Sequence, residues 1–76
     1  MNQTNLAKTN TRKLKVVEIS GGHSLLKKLE SMGIYKGSVI EKVISYNHGP
    51  VVVKVMNSQV AIGRGMAEKI IVEEIK

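Results

Sequence analysis

Apolar residues recur at helical spacing in one stretch of the chain and at strand spacing in the others. Over residues 24 to 32, Leu25, Leu29 and Met32 stand at i, i+4 and i+7, which places them on one face of a helix. Leu26 falls at the edge of that stripe, while Lys27, Glu30 and Ser31 point away. As a boundary residue, Leu26 is either a half-buried rim of its own domain or a contact for a partner. Gly22 or Ser24 supplies the N-cap. Gly33 stands where the helix needs a C-terminal residue with positive φ, and Gly37 lets the chain turn tightly before the next strand.

Strand patterns occupy the rest. In Leu14 to Ile19, the adjacent Val16 and Val17 break strict alternation. Either Leu14 and Val16 or Val17 and Ile19 face inward, and a bulge or twist accommodates both. Val39 to Tyr46 is a second strand with Ile40, Ile44 and Tyr46 on one side. Asn47-His48-Gly49-Pro50 is a loop between antiparallel neighbours. Val51, Val53 and Val55 share a face in the clearest core strand, and Asn57-Ser58 fits a two-residue turn. The returning strand carries Val60 and Ile62 and ends at Gly63-Arg64-Gly65, after which Met66 to Lys69 form a short helical turn and Ile70 to Val72 the last strand.

The fold expected is therefore mainly β: a small five-stranded barrel, closed or nearly so, with one α-helix between the first and second strands and a helical turn before the last. Closure would remove the exposed edges of a small open sheet. Residues 1–12 are rich in Asn, Thr and Lys with only Leu6 as a large apolar group, so a flexible tail is expected there and a domain over 13–76.

The order and spacing of these features resemble the FeoA family of ferrous iron transport accessory proteins. The resemblance is carried by Gly21-Gly22, Leu26 to Leu29, Met32-Gly33-Ile34 with Gly37, Gly49-Pro50, the alternating valines, Val60-Ala61-Ile62, Ala67 and Ile70 to Val72. It covers about residues 14–74. Two departures stand out: Lys36 occupies a position where the family often has proline, and Gly63-Arg64-Gly65-Met66 replaces a more acidic approach to Ala67. The resemblance implies an SH3-like barrel and a cytoplasmic protein that contacts the membrane ferrous iron permease FeoB, which carries a GTP-binding domain. It transfers no catalytic motif and no cofactor. Because the junction fixes the helix against the barrel, Leu26, Tyr35 and Lys36 are expected to lie near one partner surface.

Composition and charge narrow the alternatives. The chain has 76 residues, no cysteine and a formal charge of +6. Lys8, Arg12, Lys13 and Lys15 supply +4 of it, and the eight basic and six acidic residues of 16–76 leave only +2. A basic SH3-like nucleic-acid-binding module is one alternative, with binding that falls steeply with salt. A stand-alone relative of the C-terminal domain of iron-dependent repressors is another. Tyr35 and Tyr46 are the only aromatic residues, too few for the aromatic groove of proline-peptide recognition or for base-stacking platforms. A contact made by aliphatic and Met side chains with a basic rim is expected instead. Self-association stays open, and contact with a membrane is expected only through the permease.

Enzymatic chemistry finds no anchor. His23 and His48, with Glu18, Glu73 or Glu74 as further ligands, have no spacing that fixes a metal geometry. Ser24 beside His23 is a neighbour in sequence, an arrangement that rarely makes a nucleophile and base. Gly63-Arg64-Gly65 lacks the Gly-Lys of a phosphate-binding loop. No apolar run approaches the roughly 20 residues that a membrane-spanning helix needs. A non-enzymatic binding protein is expected.

Overall fold

A computed structural model describes residues 3–75. Its elements are β1 (Gln3–Asn5), β2 (Lys13–Ile19), α1 (His23–Ser31), β3 (Val39–Ser45), β4 (Val51–Val55), β5 (Ser58–Ile62), α2 (Arg64–Ala67) and β6 (Ile70–Glu74). The strands form one antiparallel sheet in the order β1-β6-β2-β3-β4-β5. Among the described residues there are thus six strands where five were expected. Among the described residues no ladder joins β5 to β1, so the sheet is open where a closed or nearly closed barrel was expected. Its edges are strands of three and five residues, short enough to offer little to a neighbouring chain.

Strand β2 is the pivot. Lys13 to Lys15 pair with β3, while the strand also runs along β6 with a shift in register between Val16 and Glu18. That bulge resolves the broken alternation: Leu14 and Val16 are fully buried, and Ile19 packs against the core from beyond the irregularity. A second shift lies between Lys42 and Ile44 of β3. It turns Ile44 to the outer face opposite Val52, so Ile40 is buried whereas Ile44 and Tyr46 are exposed. The common face expected for these three residues does not exist.

Lys42 precedes the shift and, two residues after the buried Ile40, lies on the inner face opposite the buried Val53. Its ammonium reaches over the end of the core and donates to the carbonyl oxygens of Thr9 at 2.6 Å, Leu6 at 2.9 Å and Ala7 at 3.4 Å. This fastens a segment that was expected to lie outside the domain. Gln3 to Asn5 pair with β6, the Leu6 amide donates to Ile70 O at 2.9 Å, and the Leu6 side chain is fully buried among the core residues. Thr9 Oγ1 donates to Glu74 Oε2 at 3.1 Å. Residues 3–12 therefore belong to the domain, because one buried leucine and a set of satisfied polar groups offset their ordering cost. Met1 and Asn2, the start of the expected tail, lie outside the described residues, as does Lys76.

The β4–β5 turn also differs from expectation. Val55 pairs with Ser58, so the two loop residues are Met56 and Asn57, one position earlier than predicted. Met56 has φ of 57°, a conformation in which glycine would be less strained. The predicted inward face of β4 holds: Val51, Val53 and Val55 are all buried.

Candidate functional site: the α1 junction and its depression

Helix α1 begins after Gly22, whose carbonyl accepts from Leu26 N at 3.1 Å. It closes with the paired bonds of a Schellman motif: Gly33 N donates to Glu30 O and Ile34 N to Leu29 O, each at 2.9 Å. Leu29 and Ile34, the apolar pair that accompanies this motif, are fully buried. Gly33 has φ of 86°, and a Cβ on it would lie 2.7 Å from Val55 Cγ1. Both the backbone conformation and the close approach of β4 require glycine there.

The turn that follows is held on all sides. Ser38 Oγ donates to Tyr35 O at 2.8 Å and accepts from Tyr35 N at 3.1 Å. Gly37 N donates to Val16 O at 2.7 Å, and Val16 N donates to Ser38 O at 2.8 Å. With the backbone of Tyr35 to Ser38 tied to β2, the side chains of Tyr35 and Lys36 are left exposed beside the helix. Leu29, one turn from Leu26, is wholly in the core, whereas Leu26 remains 39% exposed and Tyr35 50%.

Leu26, Tyr35 and Lys36 line one open depression of about 470 Å³, together with Glu18 and Ile19 of β2 and Glu30 of α1. Its floor is aliphatic and aromatic, and its rim carries two carboxylates and one ammonium. Two of the chain's six acidic residues are gathered here, although the protein as a whole is strongly basic. The sequence pointed to three of the lining residues and missed Glu18, Ile19 and Glu30. Glu30 was within reach, since it follows Leu26 by one helical turn and shares its face. Glu18 and Ile19 depend on the β2 bulge.

The other candidates are not assembled. His23 opens α1 and His48 lies in the β3–β4 loop with φ of 60°, both exposed. Among the described residues, no group of three or more His, Cys, Asp or Glu side chains stands where it could hold a metal ion. Arg64 was overlooked in the sequence. It leaves the first turn of α2 and donates to Tyr46 O at 2.6 Å, Gly49 O at 3.1 Å and Ser45 Oγ at 3.3 Å, which ties down the β3–β4 loop. A lone arginine between two glycines was the available signal. Burial, and secondarily the nearby Arg64 charge, lower the pKa of Lys42 below its usual 10.5.

Comparison with known proteins decides the family. The FeoA domain matches residues 7–74. The chain belongs to the FeoA family. It is 46% identical over 59 residues to the Fe(2+) transport protein A of Methanocaldococcus jannaschii, covering 78% of this chain and 71% of that one. A crystal structure of an iron uptake regulatory protein (FeoA) superposes with a TM-score of 0.90 at 33% identity, spanning 97% of this chain and 100% of that one. The iron(II) transport protein A of Clostridium thermocellum gives 0.86 at 24% identity, with 95% of this chain and 46% of that one covered. The manganese regulator SloR shares the fold alone, with a TM-score of 0.82 at 19% identity over 95% of this chain and 34% of that one. FeoA proteins are accessory to ferrous iron transport and are not a known enzyme family. Among the described residues no helix is long and apolar enough to cross a membrane.

Proposed function

We propose that this FeoA protein is a non-enzymatic, cytoplasmic accessory of ferrous iron uptake that acts by contact with the FeoB permease, at or near its GTP-binding domain. The observation that carries this reading is the depression beside α1. Leu26 is a large apolar side chain left 39% exposed on a helix whose other leucines pack inward, and Tyr35 and Lys36 stand beside it on a turn fixed by backbone hydrogen bonds. An exposed apolar group on a rigid mount, ringed by charges, suits an anchor at a protein interface. Leu26→Glu should fold, since the position is at the rim of the core, and should lose binding to purified FeoB with its cytoplasmic domain intact. The companion readout is GTP hydrolysis by FeoB with and without this protein. Absence of both binding and any change in hydrolysis would remove the mechanism, and collapse of the fold in Leu26→Glu would make Leu26 a core residue and the surface wrong. The repressor-domain alternative has behind it a likeness of fold at 19% identity.

A further inference from the structure

The outer face of the sheet carries a second patch that shares no residue with the depression. Strand register sets Lys13 beside Glu41 and Glu41 beside Lys54, with Lys15 beside Val39 in the adjoining row. Leu14, Ile40, Val53 and Val55, which alternate with these residues, are buried, so Lys13, Lys15, Val39, Glu41 and Lys54 face outward. Met56 completes the patch from the tip of the β4–β5 hairpin. It is 87% exposed, Val39 is 59% exposed, and together with Lys13, Glu41 and Lys54 they border an open hollow of about 230 Å³. The carboxylates here are Glu41, bound by Arg12 Nε at 2.6 Å, and Glu73, across from Lys15 on β6. Arg12, Lys13, Lys15 and Lys54 outnumber them.

We propose that this face rests on an anionic phospholipid surface, with Met56 and Val39 entering the boundary between headgroups and acyl chains while Lys13, Lys15 and Lys54 lie among the phosphates. Three features favour lipid over a folded partner. The apolar groups are mostly exposed, and the hollow they border is open to solvent rather than closed around a fitted side chain. The outermost is a methionine, flexible enough to enter a fluid phase without a fitted pocket. The surrounding lysines have long apolar stems that can lie along the interface while their charges meet headgroup phosphates. Contact of this kind is independent of the α1 depression and leaves it free. It also departs from the expectation that the protein meets the membrane only through the permease.

The chain of 76 residues lacks cysteine, so Met56→Cys carrying an environment-sensitive fluorophore provides a single probe, with Lys27→Cys on the outward side of α1 as its control. With vesicles of phosphatidylcholine and phosphatidylglycerol at low salt, the Met56→Cys label should shift to the blue and the Lys27→Cys label should not. Vesicles of phosphatidylcholine alone should move neither. In co-sedimentation with the anionic vesicles, Lys13→Gln and Lys54→Gln should each weaken binding about fivefold. Met56→Ser should also weaken it, and Lys27→Gln should leave it unchanged. Three results would overturn the proposal. One is failure to sediment at low salt. Another is equal loss from Lys27→Gln and Lys54→Gln, the mark of diffuse attraction to a +6 protein. The third is preference of the same lysines for polyglutamate or RNA over vesicles, which would assign the face to an acidic macromolecule.

Discussion

Replacing Leu6 by alanine separates two accounts of the first twelve residues. If they were a solvated tail, truncating one side chain would change stability by less than about 0.5 kcal/mol, as at other surface positions. In the structure Leu6 is fully buried in the core cluster, its amide bonded to Ile70 O and its carbonyl to the Lys42 ammonium. Leu→Ala removes three carbons, worth about 2.4 kcal/mol at about 0.8 kcal/mol each. The cavity adds on the order of 24 cal/mol for each Å³ that fails to collapse. Because β1 is an edge strand and can settle inward, we expect a total of about 3 kcal/mol. A 76-residue domain at about 0.05–0.15 kcal/mol per residue has roughly 4–11 kcal/mol in all, so the loss is a large share. Urea unfolding followed by circular dichroism should show the midpoint falling by roughly 3 M for a slope of about 1 kcal/mol/M, with the slope itself unchanged. A shift below about 0.5 kcal/mol would refute the placement of Leu6 and return the start of the domain to Lys13.

The helix junction and the Lys42 ammonium can be tested in the same way. Gly33→Ala should cost about 2–5 kcal/mol, the sum of about 1–2 for a left-handed non-glycine residue and about 1–3 for the Cβ forced against Val55. Gly37→Ala, with φ of 97° but nothing within 4 Å of the added Cβ, should cost only the backbone part, and equal losses in urea titrations would contradict the close approach. Lys42→Met leaves the carbonyls of Leu6 and Thr9 without their donor and should destabilise by about 1–2 kcal/mol, since water can replace part of the contact. The same variant has a pH signature. Lys42 has a lowered pKa in the folded state, so just below pH 10.5 the unfolded chain holds more protons and stability rises with pH through that window. Unfolding midpoints measured across it should show the rise in the wild type and a flatter profile in Lys42→Met.

Local signals carried much of the fold. The stripe of Leu25, Leu29 and Met32, the glycine after it, the alternating valines of β4 and the irregularity in β2 could each be read within a few residues, because each depends on backbone periodicity or on a single φ angle. What escaped depends on distant partners. Strand β1 is polar and short, and it exists because β6, at the other end of the chain, offers an edge and the core offers a place for Leu6. Composition within a window cannot register that. The outward turn of Ile44 follows from a bulge that reverses the alternation of β3 beyond Lys42, and the shift of the hairpin to Met56-Asn57 follows from a register set by β4 and β5. Neither leaves a mark in the local sequence. At the candidate site, Leu26, Tyr35 and Lys36 were reachable because helix and turn geometry bring near neighbours together. The carboxylate of Glu18 was not, since it joins them across the fold.

The proposed seating of the permease in the depression between α1, β2 and the junction turn can be read residue by residue. Amide spectra of the 15N-labelled chain are recorded while the purified cytoplasmic GTP-binding domain of FeoB is added. The signals perturbed first and most should be those of Glu18, Ile19, Leu26, Glu30, Tyr35 and Lys36, with β5 unaffected. Perturbations centred elsewhere, or none at saturating FeoB domain, would contradict that seating.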